Sequence, residues 1–288
     1  LAEIYAAALL NGLLIGGVYA LVALGLTLIY GVLHIVNFAH GSLLMVAMFA
    51  AWMLAELGGV DPYLALPLVS ALMFAAGWAL YRFVIGRVSR GEDRAILLAT
   101  LGVSVVLDNL ALVIFKGDTR QIETPLTFAM WEVGPLLVSV PKVISFAVSI
   151  LLAALLWAFM ARTDTGRAIR AVAREPEGAR LMGIRPDRIF ALAYGIGIAC
   201  LGAAACLLLP SFYVSPHVGN VFVLVAFTIV VLGGMGSFPG AVVGGLLIGV
   251  TESLGGLLLG ESLGPIGISL VFIAVLLLRP TGLFGAAR

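Results

Sequence analysis

Charged side chains are scarce in this chain of 288 residues: 16 basic and 15 acidic residues make up 11% of it. A soluble domain usually carries about a quarter, so the composition excludes a soluble globular protein. A net charge of +1 leaves no basic surface for nucleic acid. Cysteine is nearly absent too. Cys200 and Cys206 stand six apart in one apolar stretch; on a helix they point to different faces and cannot bridge, which excludes a disulfide scaffold and leaves two buried thiols. No G-x-x-x-x-G-K-[ST] loop is present to hold phosphates, and H-E-x-x-H does not occur. His34 and His40 have no third nitrogen, thiolate or carboxylate close by in sequence, so a metal is not expected there.

What the chain has is apolar surface: 62% hydrophobic residues and a mean hydropathy of +1.17. The charges are also segregated. None falls between Glu3 and Glu56, or between Arg188 and Glu252. At about 20 residues per helical crossing, the first run holds two passes and the second about three. A barrel would show short alternating segments instead. The expectation is an all-α polytopic membrane protein, one transmembrane domain over 1–288. Spans are expected near 6–32, 40–56, 63–84, 95–115, 141–161, 189–209, 220–235, 240–258 and 266–279, or eight if one short segment is re-entrant. The stretch from Ala6 to Val32 has no preceding basic segment and is too long for a signal core, so it reads as the first span.

Thirteen of the 16 basic residues lie in three places: Arg82, Arg87, Arg90 and Arg94; seven arginines in 162–188; and Arg279 with Arg288. Basic loops face the cytoplasm, which predicts an external N-terminus and a cytoplasmic C-terminus.

Two breaks carry no charge. GVLHIVNFAHG places His34, Asn37 and His40 between Gly31 and Gly41, and GGMGSFPG places Gly233, Gly234, Gly236, Pro239 and Gly240 at a comparable junction. Unwound backbone at membrane depth is tolerated where protein or a water-filled cavity surrounds it, and paired interruptions of this kind point to a substrate path. The expected path or gate residues are Asn37, His40, His34, Gly31, Gly41, Gly233, Gly234, Gly236 and Pro239. Neutral imidazole and amide groups suit a passing zwitterion better than a fixed charge, which would trap it. Most other glycines, Gly195, Gly197, Gly202, Gly244, Gly245 and Gly249 among them, read as helix-packing positions. Asp108 and Glu252 are intramembrane acids, open to structural or ion-coupling roles.

The longest polar stretch, ARTDTGRAIRAVAREPEGARLMGIRPDRIF, predicts a helical hairpin over 162–188. Asp164 or Thr165 caps its first helix, Pro176 opens the second, and Gly183 ends it in the left-handed conformation. Ala179, Leu181, Met182 and Ile184 supply apolar contacts, while Glu177, Arg180 and Arg185 supply charge. It is too small and polar for a lipid-interface helix and reads as a protein-docking element.

Four collinear blocks, GGVYALVALGLTLIYGVLHIVNFAHGSLLM (Gly16 to Met45), GRAIRAVAREPEGARLMGI (Gly166 to Ile184), VVLGGMGSFPGAVVGGLLIGVTESL (Val230 to Leu254) and LLLRPTGLFG (Leu276 to Gly285), resemble permease subunits of the branched-chain amino acid ABC importers. Glu177, Gly178, Ala179 and Gly183 are similar to the E-A-A-x-x-x-G loop of importer permeases, with Gly in place of the first Ala and without the downstream I-x-L-P. The resemblance implies a coupling helix, with Arg174, Glu177, Ala179, Arg180 and Gly183 gripped by a separate ATP-binding subunit. It implies a multi-pass protein of the bacterial cytoplasmic membrane with a homologous second permease and an extracytoplasmic substrate-binding protein as partners. It also implies no catalytic activity of its own, ATP and Mg being held by the ATPase subunits. Two alternatives remain open at this level: a stand-alone ion-coupled secondary transporter or channel using Asp108 or Glu252, and an importer of urea, amides or aromatic acids.

Overall fold

The computed structural model describes residues 2–88, 93–124, 126–134, 136–260, 263–279 and 281–285. Arg90 and Arg288 of the charge reading and Pro280 of the last block lie outside them.

Helix α1 (Ala2–Leu33) is apolar all round, and every residue from Gly16 to Ile29 is buried. A helix without a polar face belongs at the centre of a bundle. At 1.5 Å per residue it is about 48 Å long, more than the hydrocarbon thickness. Around it lie α2 (His40–Gly58), α3 (Pro62–Leu80, continued by a π-helical turn at Tyr81–Ile85), α4 (Asp93–Phe115), α5 (Val140–Arg162), α8 (Pro186–Leu208), α9 (Val218–Gly233), α10 (Phe238–Leu259) and α11 (Gly264–Leu278). Two shorter helices, α6 (Asp164–Arg174) and α7 (Pro176–Leu181), sit between α5 and α8. Among the described residues seven helices are long and apolar enough to cross a membrane, and α9 and α11 are shorter apolar helices. The all-helical expectation has one exception among the described residues: β1 (Met130–Val133) and β2 (Leu136–Ser139) form an antiparallel hairpin turning at Gly134.

Helix α1 packs against α5, α8, α9 and α10. Its crossing with α10 is made of glycines: Gly12 faces Gly249 and Val250, and Gly16 faces Gly245 and Leu246, so that main chains touch. Without a hydrophobic drive inside lipid, such close backbone contact is what holds helices together. Gly25 meets Gly197 of α8 in the same way, while Gly195 and Gly202 of α8 pack on α3. Gly244 turns instead toward Ile229 of α9. The outer helices expose one apolar face: Leu64, Leu68 and Leu72 on α3, and Leu151 and Leu155 on α5.

One end of the bundle gathers the N-terminus, the start of α5 and the end of α10. Lys142 donates to Asn11 Oδ1 at 3.1 Å, and Ser253 Oγ donates to the Ala8 carbonyl at 2.7 Å. At the opposite end Leu28 and Val32 of α1, Met160 of α5, Ile169 and Val172 of α6, Ala179 of α7, and Ile189 and Ala193 of α8 form one cluster. This is the end where the arginines of 162–188 lie.

Candidate functional site

The first break is a return into the bundle. Helix α1 stops at Leu33, and His34 reverses the chain at φ +57°. Helix α2 then begins at His40, whose Nε2 lies 3.0 Å from the Val22 carbonyl. Val22 stands eleven residues before the end of α1, about 16 Å back along its axis, so α2 starts at depth. Its first N–H groups need partners there. Ala39 N–H is taken by Asn37 Oδ1 at 3.1 Å, and Phe38 N–H by Thr100 Oγ1 of α4 at 3.4 Å. Ser42 and Ser104 close the contact at 2.7 Å. Thr100 and Ser104 lie on one face of α4, four residues apart, so a neighbouring helix supplies what the unwound segment lacks.

Asn37 and His40 are both fully buried. Because the Val22 carbonyl can only accept, the His40 Nε2 is the donor and Nδ1 is left as an acceptor. Among the described residues, that Nδ1, the Asn37 Nδ2 and the Tyr194 hydroxyl of α8 find no hydrogen-bond partner. Tyr194 lies beside the Asn37 side chain. An unpaired buried polar group costs about 1–3 kcal/mol. The interior thus holds three uncharged polar side chains, Asn37, His40 and Tyr194. His34 is not among them: it is exposed at the end of α1, edge-on to the Tyr30 ring.

The second break reaches the first at its lower end. Helix α9 stops at Gly233, Gly234 and Gly236 take positive φ (+94° and +88°), and Ser237 caps α10 by accepting from Gly240 N–H at 3.2 Å. Gly233 and Gly240 sit main chain against main chain, and a Cβ on Gly31 would touch Gly236 at 3.3 Å. Gly31, Gly236 and Pro239 share the wall of a cavity of about 540 Å³ with Thr27, Trp157 and Arg170. Gly234 instead packs on Gly285, and Gly41 on Gly219 in the first turn of α9. Leu283 N–H and Phe284 N–H bond the Leu232 and Gly233 carbonyls at 2.8 and 3.2 Å, so the C-terminal segment closes α9.

In the hairpin the cap of α6 is Thr163, whose Oγ1 accepts from Gly166 N–H at 3.0 Å, instead of the expected Asp164 or Thr165. Thr163 also donates to the Phe159 carbonyl at 2.7 Å. Its hydroxyl therefore serves two chain ends at once, which the sequence pattern does not distinguish from its neighbours. Gly183 has φ +82°, the left-handed stop expected. Of the four apolar residues assigned to contacts, Ala179 is buried and Ile184 packs beside it. Leu181 and Met182 are not: they are 89% and 83% exposed. Glu177 is exposed and Arg180 shares a cleft with Arg82, Arg185 and Arg188.

Residues 8–279 match the family described as branched-chain amino acid transport system, permease component. The chain is 35% identical over 296 residues to BraD, a high-affinity branched-chain amino acid transport system permease protein of Pseudomonas aeruginosa, with 98% of this chain and 96% of that one covered. It is 33% identical to LivH of Escherichia coli K12, a protein of the same description, over 96% and 94%. Among solved structures, PsaBC from Streptococcus pneumoniae in complex with a Fab shares the fold, with a TM-score of 0.50 at 15% identity over 96% of this chain and 92% of that chain.

Proposed function

The chain belongs to the branched-chain amino acid transport permease family, and from that premise we propose that it is the translocating subunit of an ATP-driven importer of branched-chain or other small amino acids. The observation that carries the mechanism is the α6–α7 hairpin. It packs on the bundle through Ile169, Val172 and Ala179, yet leaves Leu181 and Met182 in the open beside Glu177 and Arg180. Two large apolar side chains almost fully exposed side by side are the anchor pattern of a docking surface. Their partner is an ATP-binding subunit, which holds ATP and Mg and hydrolyses the nucleotide. The chain itself acts as no enzyme. The arginine end then faces the cytoplasm of a bacterial inner membrane, and the N-terminal end faces outward to a substrate-binding protein. A homologous second permease completes the pore.

Asn37, His40 and Tyr194 give the path polar groups without fixed charge. A zwitterion can exchange water for such groups without being trapped. The glycine contacts at Gly31 and Gly236 form the inner gate: main chains in contact part with no side chain to repack. Alternating access follows when ATP binding and hydrolysis in the partner favour different arrangements of the helices on either side of this contact.

The test is gentle-detergent purification of this chain expressed with its native neighbours, followed by reconstitution. Co-purifying ATPase subunits, with turnover raised by a binding protein and a branched-chain amino acid, are the expected result. A chain that purifies alone and carries ion-driven flux in liposomes overturns the reading.

A further inference from the structure

The N-terminal end of the bundle holds a cavity of about 760 Å³ that the path described above does not use. Asn11, Ile15 and Tyr19 lie four residues apart on α1 and form one wall. Lys142, at the start of α5, and Glu252, on α10, complete it, with Phe212 and Leu257 adding apolar surface.

The two charges are held separately. Lys142 Nζ donates to Asn11 Oδ1 at 3.1 Å, and the Tyr19 hydroxyl lies beside the Glu252 carboxylate. They are not joined to each other: among the described residues the one ion pair is Arg167 with Asp164. Opposite charges in a poorly solvated site attract strongly, and each costs several kcal/mol to desolvate. A lysine and a glutamate that share a cavity wall without closing on each other leave room for something between them. Their neighbours are neutral, an amide for the lysine and a phenol for the glutamate, and cancel neither charge. What fits between a fixed cation and a fixed anion, against apolar side chains, is a molecule with a carboxylate, an ammonium and an aliphatic body.

We infer that this cavity is an entry subsite for a zwitterionic α-amino acid, with Lys142 facing its carboxylate, Glu252 its ammonium, and Ile15, Phe212 and Leu257 its side chain. The inference rests on the transport reading above and deepens it. Both charges of the ligand are matched at the entrance, while the deeper groups, Asn37, His40 and Tyr194, carry none. Recognition and release are thereby separated along the path.

The experiment uses the complete complex in nanodiscs, without its binding protein, and radiolabelled leucine as probe. Competitors are unlabelled leucine, leucinamide, which lacks the carboxylate, and 4-methylpentanoate, which lacks the ammonium. In the unmodified complex leucine is expected to compete about tenfold better than either analogue, equivalent to roughly 1.4 kcal/mol. Lys142→Met should abolish the advantage over leucinamide and keep that over 4-methylpentanoate, and Glu252→Gln should do the reverse. Lys142→Arg and Glu252→Asp should retain both. Absence of leucine binding in the unmodified complex, or unchanged preferences in both charge-removing variants, overturns the subsite. So does equal loss toward both analogues, which marks a purely structural role. Uptake with the binding protein added is measured on the same preparation. Uptake with failed competition leaves the transport reading standing, and no amino acid uptake at all defeats that reading itself.

Discussion

His40 is bound through its Nε2 to the main-chain oxygen of Val22, 3.0 Å away, and this bond sets the depth at which α2 begins. The imidazole replaces a helical turn: the residue is buried, its ring spans from one helix to the next, and the chain between Leu33 and His40 follows α1 back into the bundle. His40→Ala should lower the stability of the purified chain by about 1 kcal/mol, the usual net value of one such bond, and reduce uptake with the complex still assembled. His40→Gln keeps a donor and should recover part of both. Denaturant titration in detergent reads the first quantity, and equal stability of the alanine variant and the parent would contradict the anchoring role.

Gly41 and Gly219 meet main chain to main chain, and a Cβ on either would overlap the other. Gly41→Ala should therefore cost about 1–3 kcal/mol through overpacking. Gly102 provides the contrast, since nothing lies within 4 Å of a Cβ built there. Gly102→Ala gains helix propensity, up to about 1 kcal/mol, and should hold or raise the unfolding midpoint. Equal midpoints for the two variants would show that the crossing tolerates a methyl group.

Docking and packing can be separated within one short helix. Ala179 is 6% exposed in the cluster under the hairpin, while Leu181 and Met182 stand free two and three residues later. Ala179→Asp buries a carboxylate among Ile169, Val172 and Ile189 and should destabilise the chain itself. Leu181→Asp with Met182→Asp should leave unfolding within about 0.5 kcal/mol of the parent, as surface substitutions do, and release the ATPase subunits on size-exclusion chromatography. Full retention of those subunits would move the docking surface elsewhere.

The helices were legible because lipid imposes a simple code. Unbroken apolar runs must be helical, and nine such runs return as helices with ends shifted by a few residues, as at Pro186, where 189 was expected. Gly183 was legible for a local reason: a left-handed stop needs a residue without Cβ. Asn37 and His40 stood out as polar residues in an uncharged break, and both are buried. Tyr194 was not legible. It is one of seven tyrosines, it lies in the middle of an apolar run, and only the packing of α8 on α2 brings it to Asn37. Lys142 was hidden likewise, since a lysine next to a span reads as a boundary marker. His34 differs from Asn37 and His40 in being exposed at the end of α1, so the same break holds positions at two depths that the pattern does not distinguish.

The C-terminal segment was read as a block of family resemblance and as a carrier of arginine charge, yet it also has a mechanical role next to the second break. A helix ends with carbonyls that need donors, and α9 stops at Gly233 where the following Gly234 turns away at φ +94°. Leu283 and Phe284 supply those donors to Leu232 and Gly233. Gly282 makes the approach possible: its φ is +78°, and a Cβ there would press on Gly234 and the Val231 carbonyl. Gly282→Val, which adds both a strained backbone and bulk, should lift the segment away and leave two carbonyls without protein donors. Each lost bond is worth about 1 kcal/mol, and the strain of a β-branched residue at positive φ adds about 1–3 kcal/mol. The same substitution should raise amide exchange through the last turn of α9, where the segment bonds. Hydrogen exchange with mass spectrometry reads the difference directly: protection unchanged at residues 230–234 would show that α9 ends securely without its C-terminal cover.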